Sequence, residues 1–166
     1  MKKQFEFQKN VLKLSVDKPH IVLRIFLFFL AFCTFFLPFF GIVISLSSGG
    51  GLHIGYLIGL GIFSLLAFYL LRISLWNTFG QETFIFNEKE IVYEADYGWF
   101  KDGKATILME NIQYSIDTIG YEEENLGVLI LNNEEKRIQS VVKIPKKQLD
   151  ELLYLLRNLD NTHFLD

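Results

Sequence analysis

The sequence predicts a membrane-embedded α-helical hairpin joined to an α+β domain, in which a meander of about seven antiparallel strands is closed by one C-terminal helix. Three observations carry that prediction. Residues 25–46 contain no charged side chain, and residues 52–71 form a second uncharged run. From Gln81 onward the pattern changes to short alternating segments separated by turn residues. After Pro145 the apolar period lengthens from that of a strand to that of a helix.

An apolar run of about 18 or more residues can cross the ~30 Å hydrocarbon core at ~1.5 Å per residue. Spans are therefore expected at about 22–46 and 52–75. They divide the chain into a basic leader (1–20), a two-helix hairpin (21–76) and a β-rich domain (77–166). Leu30-Ala31-Phe32-Cys33 has the outline of a lipoprotein cleavage box. Phe32 is too large for the position before the cysteine, however, and the run continues well past Cys33. A cleaved signal has a shorter apolar stretch of about 7–15 residues, so the segment is read as a retained membrane helix. Cys33 is the single cysteine and specifies no disulfide.

Charge sets the expected topology. Lys2, Lys3, Lys9, Lys13, Lys18 and Arg24 precede or open the first span, Arg72 closes the second, and the connection Ser47-Ser48-Gly49-Gly50-Gly51 carries no charge. Basic residues near short loops stay on the cytosolic side. Both termini are therefore expected in the cytosol of a cell whose inner membrane the hairpin crosses twice. Within the bilayer, small residues let helices approach. Ala31, Thr34, Pro38, Gly41 and Ser45 form one stripe on the first span, and Gly51, Gly55 and Gly59 form one on the second. The two stripes are expected to face each other, or to mediate homodimerisation, with Phe26, Phe29, Phe36 and Phe40 turned to lipid. Neither span has an acidic or basic residue in its interior, Arg24 and Arg72 lying near the ends, which argues against a pump or channel.

Strands are expected at Thr83–Phe86, Glu90–Ala95, Tyr97–Lys101, Lys104–Leu108, Asn111–Ile119, Val128–Leu131 and Arg137–Lys143. Asp102-Gly103 reads as a hairpin turn between the third and fourth. Pro145 opens a helix with Leu149, Leu152, Leu153, Leu156 and Leu159 along one face. In the leader, Phe5 and Phe7 alternate, as do Leu12, Leu14 and Val16, around Gln8-Lys9-Asn10. This predicts a strand pair beside the domain's sheet, the alternative being a basic segment lying on the membrane surface.

The stretch from Gly80-Gln81-Glu82-Thr83-Phe84 to Ile144-Pro145-Lys146-Lys147-Gln148-Leu149-Asp150-Glu151-Leu152, placed after two membrane spans, resembles bacterial pleckstrin-homology-like domains attached to membrane hairpins. The resemblance covers residues of about 20–160 and is one of architecture. It implies a partly open seven-stranded barrel capped by the helix. Some relatives are linked to bacteriocin immunity, so it also admits an accessory or immunity role within the bilayer.

Chemistry-bearing residues form no reactive constellation. His20, His53 and His163 lack metal-ligand spacing. Glu122-Glu123-Glu124 lacks the alternation of a calcium loop, and Gly49-Gly50-Gly51 is followed by no phosphate-binding lysine. Ser, His and Asp residues have no nucleophile motif around them. Neither an enzyme nor a cofactor is expected. Tyr97, Trp99, Phe100 and Lys101 cluster beside a turn as a candidate contact patch. Residues 77–166 hold nine Lys and Arg against seventeen Asp and Glu, a net of −8. That balance argues against nucleic acid and against recognition of anionic lipid headgroups, although Lys143, Lys146 and Lys147 cluster at the helix start. The function expected is a membrane-anchored, non-catalytic interaction module with a protein partner or a second copy of itself.

Overall fold

The structure, a computed structural model, describes residues 3–51, 53–120 and 125–163, with side chains through residue 158. It divides into a β unit, residues 1–17 together with 79–166, and a helical unit, residues 18–78. The leader thus belongs to the β unit, whose boundary the sequence placed at residue 77.

β1 (Phe5–Gln8) and β2 (Val11–Ser15) form an antiparallel hairpin with Phe5 opposite Leu14 and Gln8 opposite Val11. Lys9 and Asn10 both adopt positive φ, 45° and 64°. A two-residue turn of that hand matches the right-handed twist of the strands it joins. The chain then runs through α1 (Ile21–Ser47) and α2 (Ile54–Phe79). It returns as β3 (Gln81–Phe86), which pairs directly with β2, Ser15 opposite Gln81 and Leu12 opposite Phe84. The helical hairpin is therefore an insertion between two neighbouring strands of one sheet.

β4 (Glu90–Asp96) and β5 (Lys101–Leu108) complete that sheet in the order β1-β2-β3-β4-β5. The turn between them is not at Asp102-Gly103, as expected from the dipeptide. It lies at 97–100, where the Tyr97 N–H donates to the Phe100 carbonyl at 2.9 Å. Asp102-Gly103 sits inside β5 at a bulge: Ala95 faces Asp102 while Tyr93 faces Ala105, so Glu94 stands against both Gly103 and Lys104. Gly103 takes φ +67°, the left-handed conformation that a bulge demands.

The second sheet is built around β7 (Leu126–Asn132), with β6 (Gln113–Thr118) on one edge. The opposite edge is shared by β8 (Arg137–Gln139) and β9 (Ile144–Pro145). A single strand over Arg137–Lys143 was expected. It is broken because the N–H groups of Val141 and Val142 turn to another partner, described below. α3 (Lys146–His163) begins after Pro145 and packs on β6, β7 and β9 with Leu149, Leu152 and Leu156 buried. Leu153 is half-buried, and the side chain of Leu159 lies outside the described residues. Gly127 is required beneath this helix, since a Cβ there would fall 2.9 Å from the Asp117 carbonyl and 3.0 Å from Leu149 Cδ1.

The expected architecture holds in its coarse form: two long helices, β-sheets and a capping C-terminal helix. The resemblance implied a partly open seven-stranded barrel; the strands instead form a five-stranded and a four-stranded sheet, and no barrel closure is seen among the described residues. No strand ladder joins the five-stranded and four-stranded sheets among the described residues. Their neighbouring edges are bridged by side chains, Lys136 Nζ donating to the Thr106 carbonyl at 2.7 Å and Asn133 Nδ2 to the Leu108 carbonyl at 3.3 Å. The leader is tied to the far end of the fold through three contacts. Its Gln4 N–H donates to Gln148 Oε1 at 2.9 Å, Gln4 Nε2 to the Lys143 carbonyl at 3.1 Å, and Lys3 Nζ meets Glu151 at 2.6 Å.

Candidate functional site

The most unusual polar group in the β unit is Glu82. Along β3 the inward positions are Glu82, Phe84 and Phe86, so a carboxylate occupies a site that alternation reserves for an apolar side chain. Glu82 is fully buried. Its Oε1 accepts from the Tyr93 hydroxyl at 2.6 Å and from the Val141 N–H at 2.7 Å, and its Oε2 accepts from the Val142 N–H at 3.1 Å. Two consecutive backbone donors of the second sheet's connection are thereby satisfied by a side chain of the first. This explains the break after β8. Ser140 completes it: its N–H donates to the Leu129 carbonyl at 2.8 Å and its buried Oγ accepts the Leu129 N–H at 2.9 Å.

Burial pushes the Glu82 carboxyl above the usual range, and the three hydrogen bonds pull it only part of the way back. Burial and the adjacent carboxylate also hold the Tyr93 phenol well above its ordinary value, so it remains a donor. With three donors on its two oxygens, the carboxylate acts as a latch that ties the Val141–Val142 backbone to β3 and β4. Residue patterning could have found Glu82 from its phase with Phe84 and Phe86. The partners, 59 and 60 residues away, leave no local trace.

The patch Tyr97, Trp99, Phe100 and Lys101 is gathered on one turn. The Tyr97 and Phe100 rings stack at 4.8 Å with an 11° interplanar angle, Trp99 at the tip is 63% exposed, and Lys101 pairs with Glu94 at 2.7 Å. Gly98 makes the turn possible. Its φ is +85°, its N–H donates to Asp96 Oδ1 at 2.7 Å, and a Cβ there would fall 2.7 Å from the Phe79 Cβ. Gly98→Ala combines left-handed strain of about 1–2 kcal/mol with an overpacking cost of about 1–3 kcal/mol. Gly103→Ala carries the first term alone, since its nearest neighbour is Tyr93 Cε1 at 3.9 Å. Thermal unfolding should rank Gly98→Ala clearly below Gly103→Ala; equal midpoints would contradict the packing on Phe79.

The two small-residue stripes are not brought together as a close seam. Ala31 is buried, Thr34, Pro38, Ser45 and Gly59 are half-buried, and Gly41, Gly51 and Gly55 are exposed. A Cβ added to Gly41, Gly51, Gly55 or Gly59 would meet nothing within 4 Å. The expected backbone approach is absent there, and substitutions such as Gly55→Leu have room. Of the stripe residues, Ser45 makes a polar contact across the hairpin, its Oγ lying 2.9 Å from the Tyr56 hydroxyl.

Among the described residues no three His, Cys, Asp or Glu side chains are placed to hold a metal ion. Glu122-Glu123-Glu124 lies outside the described residues. No protein-family model matches this chain, and neither a curated protein nor a solved structure matches it.

Proposed function

We propose that this chain is a membrane-anchored, non-catalytic interaction module of a bacterial cytoplasmic membrane, with its pleckstrin-homology-like β unit in the cytosol and a protein partner or a second copy as its ligand. The observation that carries the reading is the pair of helices, 27 and 26 residues long, whose large apolar side chains are exposed along their length. Val22, Ile25, Phe29, Leu37 and Ile44 on α1 and Ile54, Ile62 and Leu65 on α2 each leave more than half of their surface uncovered. So much contiguous apolar surface calls for a non-aqueous surrounding, and each helix, ~40 Å at ~1.5 Å per residue, is long enough to provide a span. Topology is supported by the sheet. Because the hairpin leaves from β2 and returns to the adjacent β3, its two flanks belong on one side of the bilayer, and the basic leader makes that side the cytosol.

The β unit serves as the binding element in this reading, its buried Glu82 carboxylate being occupied in holding the sheets. The test is extraction and orientation. The chain should stay in the membrane fraction at alkaline pH and be released by detergent. A reporter fused after Asp166 should be active in the cytosol, and one inserted at Gly49-Gly50 outside it. Release by alkali, or activity of the Asp166 fusion outside alone, would refute the anchoring or the orientation respectively.

A further inference from the structure

We infer that the turn between β4 and β5 is a second lipid contact, with Trp99 seated in the interfacial layer of the leaflet that receives the C-terminal end of α2. The inference rests on the membrane reading above and adds a surface to it.

Position comes first. Gly98 lies directly on the side chain of Phe79, the last residue of α2. At ~1.5 Å per residue the 26 residues of that helix extend ~39 Å, close to the ~40–45 Å of a bilayer with its headgroup layers. The uncharged run ends at Arg72 and Trp76 follows it, so Phe79 falls at headgroup level. A turn fixed on Phe79 is fixed at that level too.

The chemistry of the turn fits the place. Trp99 is 63% exposed at the tip, while the stacked Tyr97 and Phe100 rings stiffen its base. Holding Trp99 outward is thus a property of the turn's structure. An indole has an apolar body and one N–H donor, a combination that favours the membrane interface over either water or hydrocarbon. The surrounding charges do not select anionic lipid. Lys101 and Lys104 stand among Glu94, Asp96 and Asp102, and Lys101 is already paired with Glu94. The contact is therefore aromatic, is met by zwitterionic lipid, and is insensitive to salt.

The chain has two tryptophans, which makes the test direct. The full-length protein is placed in phosphatidylcholine nanodiscs, with and without lipids that carry a nitroxide quencher on the headgroup. Trp76→Phe leaves Trp99 as the reporter, and Trp99→Phe leaves Trp76. The expected result is a loss of Trp99 emission comparable with that of Trp76, equal at low and high salt, and much weaker with the nitroxide at the end of the acyl chain. Quenching of Trp76 without quenching of Trp99 overturns this inference and leaves the membrane reading intact. Quenching of neither overturns the membrane reading itself. Should Trp76→Phe fail to fold, fluorotryptophan incorporated into the unaltered chain gives two ¹⁹F resonances, and paramagnetic broadening of the Trp99 signal carries the same decision.

Discussion

Replacing Glu82 by alanine should cost the β unit about 2–5 kcal/mol, more than any other single polar substitution in it. The magnitude follows from what is left behind. The Tyr93 hydroxyl and the Val142 N–H lose their acceptor inside the fold, and each buried donor without a partner costs about 1–3 kcal/mol. Val141 is 61% exposed, so its N–H can turn to water and adds less. Glu82→Met separates packing from polarity, since it restores volume without an acceptor; it should recover only part of the loss. Glu82→Gln keeps a carbonyl for Tyr93 and Val141 but sets an amide donor against the Val142 N–H. Hydrogen exchange read across residues 81–95 and 140–145 of the full chain should show both segments opening together in Glu82→Ala. Independent opening would mean that the carboxylate does not join the two sheets.

The same group gives the β unit a signed pH dependence. The folded-state carboxyl titrates above its ordinary value of 4.5 because burial outweighs the hydrogen bonds. The folded protein therefore binds this proton more tightly than the unfolded chain. Its contribution to stability is complete below about pH 4.5 and is lost as pH rises through the folded-state value. The unfolding midpoint should carry a downward slope over that window, and the slope should disappear in Glu82→Gln. A raised titration and a geometric role coexist here: the carboxylate is held for where it places Val141 and Val142, at an energetic cost.

What the sequence conveyed, and what it did not, divides along the range of the interactions. Length and absence of charge decide whether a helix can span a bilayer, so both long helices are visible in residues 21–79. Alternation is local, and it located the leader strands through Phe5, Leu12 and Leu14 and most of the sheet through Phe84, Ile91 and Ile107. A dipeptide is ambiguous when two structures need the same backbone. Asp102-Gly103 supplies a left-handed residue equally well to a hairpin turn or to the bulge opposite Glu94, and only the pairing of β4 with β5 decides. The break at Ser140 depends on Glu82, distant in sequence, and so no pattern within 137–143 announces it. The glycine stripes are local in the same sense. Spacing puts Gly41, Gly55 and Gly59 on faces, but it does not say whether another backbone comes near them.

The largest expected effect concerns the leader. A fragment of residues 77–166 should not fold, whereas a chain in which Asn-Gly joins Val16 to Gly80 should give a folded β unit that needs no detergent. Phe5, Leu12 and Leu14 are at most 4% exposed, and burial of such a side chain contributes about 1.5–3 kcal/mol. Their joint loss, roughly 5–9 kcal/mol, approaches the whole stability of a typical domain at about 5–15 kcal/mol, and it leaves the edge of β3 unpaired. The fusion keeps these contacts. The Val16 N–H already donates to the Gly80 carbonyl at 3.1 Å, and Ser15 already faces Gln81, the geometry that a two-residue turn of positive φ closes. Removing the hairpin also removes Phe79, but that side chain is 47% exposed and is a smaller loss than the buried three. Dispersed amide resonances and a monomeric elution volume for the fusion, against collapsed resonances for the fragment, are the results expected. A fragment as well dispersed as the fusion would mean that β1 and β2 are dispensable. In that case the pairing of β2 with β3 would lose its force as an argument that both ends of the hairpin lie on one side of the membrane.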